Sequence, residues 1–70
     1  MKRAPVSSSN LSSVGYDESN QVLEIEFHGG RVYQYFDVPK RIHQELMNAG
    51  SHGKYFHRNI EDNYSYDQIK

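Results

Sequence analysis

Leu23, Ile25 and Phe27 alternate with Glu24 and Glu26 along Val22–Phe27. A repeat of two is the mark of a strand with one buried face. His28-Gly29-Gly30-Arg31 follows as a turn, since glycine takes positive φ without a steric penalty, and Arg31–Phe36 supplies the returning strand. Ahead of this hairpin, Leu11–Tyr16 reads as a first strand, closed by a turn at Asp17-Glu18-Ser19-Asn20. After it the apolar spacing becomes helical. Pro39 suits a helix start, Ile42, Leu46 and Ala49 recur at helical intervals, and Gly50 is a natural stop. Ser51 can cap a second short helix through Tyr55, Phe56 and Ile60, with Gly53 weakening its start. The pattern predicts an α+β domain: a three-stranded antiparallel meander followed by two short helices packed on one face. Residues 1–10 read as a loose serine-rich arm, 11–66 as the domain and 67–70 as a tail.

Loop length decides which way Tyr33 and Tyr35 point, because a one-residue slip turns every side chain over. A two-residue loop pairs Phe27 with Val32 and puts Gln34 on the core face. A three-residue loop, with Gly30 left-handed, pairs Phe27 with Arg31, Ile25 with Tyr33 and Leu23 with Tyr35. The inner face is then Leu23, Ile25, Phe27, Tyr33 and Tyr35, while Val32 and Phe36 turn outward. Burying Gln34 without partners costs about 1–3 kcal/mol, so polar burial favours the longer loop.

Composition narrows the functional classes. Seventy residues make one domain, and a chain this short buries only about 60% of its unfolded surface. Cysteine is absent, which removes disulfides and thiolate metal sites and fits a reducing cytoplasm. No apolar run approaches a membrane span and no signal-peptide core opens the chain. Aromatic residues at 13% compensate for the small core and favour a monomer.

The ordered set Val14-Gly15-Tyr16-Asp17, Leu23-x-Ile25-x-Phe27, Gly30-x-x-Tyr33-x-Tyr35, Val38-Pro39 and Ala49-x-Ser51-x-Gly53-Lys54-Tyr55-Phe56 resembles the KTSC domain family. The likeness runs from about Val6 to Tyr64, with Tyr-x-Tyr at its centre. It implies a short module of the kind found alone in bacterial and phage proteins and at the C-terminus of some lysyl-tRNA synthetases. The family's activity is not established, and attachment to the synthetase suggests RNA as a partner. On this reading Tyr16, Leu23, Ile25, Phe27, Gly30, Tyr33, Tyr35, Pro39, Leu46 and Phe56 are core or family-motif positions.

Net charge is −1, but it is unevenly spread. Between residues 40 and 58, Lys40, Arg41, Lys54 and Arg58 face only Glu45, and His43, His52 and His57 lie among them. Lys40, Arg41, Lys54, His57 and Arg58 are therefore the candidate nucleic-acid contacts, with Tyr55 and His57 able to stack on unpaired bases of single-stranded RNA or tRNA. A solvated helical surface is the competing account. Lys40 and Arg41 also oppose the helix dipole, which costs a few tenths of a kcal/mol. The rival partner is another protein, met by the sheet edge or by outward Val32 and Phe36. The histidines show no ligand spacing, so no metal or other cofactor is expected. No nucleophile motif such as G-x-S-x-G occurs, and so small a domain rarely encloses a pocket for a small-molecule substrate. A binding module is expected rather than an enzyme.

Overall fold

The computed structural model covers Met1–Lys70. Seven elements follow in order: β1 (Arg3–Pro5), β2 (Leu11–Asp17), β3 (Val22–Phe27), β4 (Val32–Tyr35), α1 (Lys40–Asn48), α2 (His52–Asn59) and β5 (Tyr66–Gln68). All strands are antiparallel in one sheet, ordered β1-β2-β3-β4-β5. The fold class is α+β as the pattern predicts, but the sheet has five strands and not three. Strand β1 falls in the segment that reads as arm, and β5 starts at the last residue of the predicted domain and runs into the segment that reads as tail.

The central hairpin follows the three-residue loop. Leu23 pairs with Tyr35, Ile25 with Tyr33 and Glu24 with Gln34. Phe27 N–H donates to the Arg31 carbonyl at 2.8 Å, and Gly30 N–H donates back to the Phe27 carbonyl at 3.0 Å. Gly29 and Gly30 hold φ of 102° and 92°, which a side chain resists by about 1–2 kcal/mol. A Cβ built on Gly30 would meet nothing within 4 Å. Gly30→Ala should therefore cost about 1–2 kcal/mol through backbone strain alone, read as a lower urea midpoint at unchanged slope. A loss below a few tenths of a kcal/mol would mean that the loop relaxes.

Leu11, Val14, Leu23, Ile25 and Tyr35 on one sheet face pack against Val38, Ile42, Leu46, Phe56 and Ile60 in a single core. A register shift between Leu11 and Ser13 lets Leu11 and Val14 share that face although three residues apart. Each helix turns only a few apolar residues inward: Ile42 and Leu46 from α1, Phe56 from α2. Helix α1 starts on Pro39 without a side-chain cap and has no acid in its first turn, so Lys40 and Arg41 do oppose its dipole. It ends at Asn48, short of Gly50, with Ala49 extended at its C-cap. Ser51 caps α2 by accepting from Lys54 N–H at 3.2 Å.

The opposite sheet face departs from the sequence reading. Val32 lies opposite Glu26 on the face away from the main core, as the register predicts, but it is buried and not exposed. Strand β4 is internal: Val32 N–H donates to the Lys70 carbonyl and Ile69 N–H donates to the Val32 carbonyl. Phe36 is half-buried. Gln34 does not simply face water; its amide donates to Glu24 Oε1 at 2.9 Å. Glu24 is only 5% exposed. Arg3 reaches it from β1, binding Glu24 with Nη1 and Ser13 Oγ with Nε at 3.0 Å, while Ser13 donates to Glu26 at 2.8 Å. Burial raises the Glu24 carboxyl, but the Gln34 amide and the Arg3 guanidinium outweigh it and hold the group below the usual carboxylate range. Backbone pairing sets Arg3 opposite Gly15 and Gly15 opposite Glu24. The missing side chain at Gly15 leaves the space through which Arg3 crosses.

Candidate nucleic-acid interface

Helix α2 places Lys54 and Arg58 one turn apart, both exposed. Its first turn is approached by the loop after β1. A Cβ on Gly53 would lie 3.4 Å from the Asn10 amide nitrogen and 3.6 Å from Ser8 Oγ. Ser9, Asn10, Ser51, Gly53, Lys54, His57 and Arg58 thereby surround a recess of about 380 Å³ with no hydrophobic lining residue.

Of the five sequence candidates, the structure gathers Lys54, His57 and Arg58 here and leaves Lys40 and Arg41 elsewhere. Lys40 pairs with Glu18 at 3.3 Å. It borders a separate cavity of about 700 Å³ between the N-terminal strands and α1, shared with Arg3, Tyr16 and His43. There the rings of Tyr16 and His43 stack at 4.7 Å with 11° between planes, and burial lowers the His43 pKa toward the neutral imidazole. Arg41 pairs with Glu45 at 3.1 Å. Tyr55 donates its hydroxyl to Glu45 at 2.7 Å, which draws that carboxyl below the ordinary range ahead of Arg41. Burial, then the Glu45 carboxylate, push the Tyr55 hydroxyl up to about 12. Tyr55 is thus half-buried and tied down, not a free stacking platform. His57 Nδ1 contacts Glu61 Oε1 at 2.6 Å.

Lys54 and Arg58 are different: neither has a carboxylate within ion-pair distance. Exposed pairs contribute little stability, but each carboxylate cancels the field a phosphate would meet. The positive charge available for an anion therefore lies in the α2 recess. Ser9 and Asn10, which complete it, escaped the sequence reading because nothing local marks a loop that packs against a distant helix start. The same holds for the Arg3–Glu24 contact, whose one sequence signal was a glycine inside a strand. No group of three His, Asp or Glu comes together in metal-binding array, and no helix is long and apolar enough to cross a membrane.

Residues 7–64 match the KTSC domain. The crystal structure of a KTSC domain protein from Yersinia pestis superposes with a TM-score of 0.93 at 44% identity, covering 99% of this chain and 97% of that one. An uncharacterized protein of Stutzerimonas stutzeri is 45% identical over 58 residues, 83% of this chain and 82% of its own length. A lysine–tRNA ligase of Trichormus variabilis is 44% identical over 54 residues, 77% of this chain but 10% of the ligase. The chain spans about a tenth of the length of the ligases it matches.

Proposed function

Because this chain belongs to the KTSC domain family, we propose that it is a non-catalytic accessory module that binds RNA phosphate in the cytoplasm, at the start of α2. The observation that carries this reading is the pair of unneutralised cations, Lys54 and Arg58, on one polar recess beside the Ser51 cap. A hydroxyl-lined, positively charged recess suits a phosphate oxygen, and backbone contacts of this kind position RNA without reading its sequence. Similarity to a segment of lysine–tRNA ligases supports tRNA as the RNA to test first. With two phosphates neutralised, affinity should be weak and fall about sevenfold between 50 and 200 mM salt.

Titration of fluorescently labelled tRNA and of a single-stranded oligonucleotide at those two salt concentrations tests the proposal. Lys54→Ala with Arg58→Ala should remove most of the binding and flatten the salt dependence. Arg41→Ala should change little, since Glu45 already occupies that guanidinium. If neither RNA binds at low salt, or the double variant binds as before, the reading fails. A second reading rests on strand β5, an outer strand of the sheet, where Tyr66 and Ile69 are more than half exposed. An extended peptide could pair there with another protein, and that association would persist at high salt.

A further inference from the structure

A second cleft lies away from the α2 recess and shares no lining residue with it. Its volume is about 310 Å³. Tyr33 and Tyr35 come from β4, Tyr66 from β5, and Phe27 from the end of β3, while Glu61 and Asp62 close it from the turn after α2. The register builds the aromatic wall, for Tyr35 sits directly opposite Tyr66. The three tyrosine centroids stand 5.6–6.4 Å apart, and Phe27 meets Tyr33 edge-on at 5.5 Å and 86°.

Two features separate this cleft from ordinary aromatic packing. The first is Tyr35, which is 3% exposed, yet its hydroxyl makes no hydrogen bond to any group of the chain. No fully buried polar side-chain atom lacks a partner, so this hydroxyl must open into the cleft. Burial raises its pKa, and the Glu61 carboxylate adds to the rise, placing negative charge near the rings. The second feature is charge. Glu61 and Asp62 contribute two negative charges and Arg31, at the rim, one positive charge. Glu61 is shared with His57 on its outer side, whereas Asp62 has no cationic partner and is exposed.

Electron-rich ring faces, a hydroxyl that opens into the cleft and can accept, and carboxylates at the mouth form the combination that attracts an organic cation. Phosphate is disfavoured by the same carboxylates, which argues against a nucleic acid at this place. We propose that this cleft binds an alkylammonium group, that of a lysine side chain presented by a partner polypeptide. The methylenes would lie along Tyr33 and Tyr66, and the ammonium would reach the Tyr35 hydroxyl and Asp62. Volume fits one such side chain and excludes a folded element.

The test is a titration of the full chain with Nα-acetyl-lysine methylamide, following the ring signals of the tyrosines by NMR. The norleucine analogue, which keeps the four-carbon stem but lacks the ammonium, and a single-stranded oligonucleotide are run in parallel. Saturable shifts of Tyr33, Tyr35 and Tyr66 with the lysine compound alone are expected. Asp62→Asn should weaken binding about tenfold. Tyr66→Ala, at an exposed position that should leave the fold intact, should weaken it at least about threefold. Arg31→Gln should tighten binding, because it removes the competing charge; a purely structural role for Arg31 would not give that sign. Equal binding of the norleucine analogue, shifts produced only by the oligonucleotide, or no saturable shift with the lysine compound would each overturn the proposal. None of these outcomes bears on Lys54 and Arg58, so this test and that of the RNA reading fail separately.

Discussion

Phe56→Ala is expected to lower the stability of the domain by about 3–5 kcal/mol, the usual cost of emptying a buried phenylalanine site. A domain of this size has roughly 4–10 kcal/mol in all, so much of its margin would go. The reason is position. Phe56 is 5% exposed and meets Phe27 and Tyr35 edge-on, each with centroids at 5.4 Å. It is also the one fully buried side chain within α2, and thus the main anchor of the helix that carries Lys54 and Arg58. Urea unfolding followed by circular dichroism would show the midpoint falling while the slope is retained. Phe36→Ala supplies the contrast: the same chemistry, half-buried and outside the main core cluster, should cost no more than about 1 kcal/mol. Equal losses at the two positions would show that α2 is not held as described. Loss of tRNA binding in Phe56→Ala alone would say nothing about contact with RNA.

The central hairpin was legible because two independent constraints converge on one register. Alternation at Leu23, Ile25 and Phe27 fixes the inward face of β3, and the penalty for burying an unsatisfied Gln34 fixes which face of β4 joins it. Strands β1 and β5 offered no such pattern. Each is three residues long and largely exposed, held by backbone pairing that leaves little trace in side-chain chemistry. Missing β5 had a consequence: Val32, which the register turns away from the main core, was expected at the surface, whereas the C-terminal residues pair its backbone and it is buried. Charge misled in a related way. The segment from Lys40 to Arg58 looks strongly basic when counted along the chain. Its carboxylate partners Glu18 and Glu61 lie outside that segment and neutralise part of it only once folded. The pair that stays free, Lys54 and Arg58, is not marked in the sequence: Glu61 and Asp62 stand three and four residues after Arg58, yet neither pairs with it in the folded chain.

Arg3→Met and Gly15→Ala should each destabilise the domain by about 1–3 kcal/mol at pH 7, and together by little more than either alone. The two residues serve one contact. A Cβ at Gly15 would lie 2.9 Å from the Lys2 carbonyl oxygen and 3.0 Å from Arg3 Cγ; because the first is backbone, β1 must move. Arg3 then loses its grip on Glu24, a nearly buried carboxylate left with Gln34 as its only remaining side-chain partner. Leaving such a group short of partners costs about 1–3 kcal/mol, and two substitutions that remove the same interaction are not additive. The pH dependence identifies the group. Glu24 titrates below its ordinary value of 4.5 in the folded chain, so it stabilises the fold above that pH and ceases to as pH falls through the folded pKa. Without Arg3, burial is opposed chiefly by Gln34 and the carboxyl moves up. Either variant should therefore trail the parent by its full margin at pH 7 and close part of the gap below about pH 4.5. Glu24→Gln in the Arg3→Met background should abolish that convergence. Additive losses, or a gap that stays constant down to pH 3, would place the role of Gly15 in backbone strain instead of in the passage it leaves for Arg3.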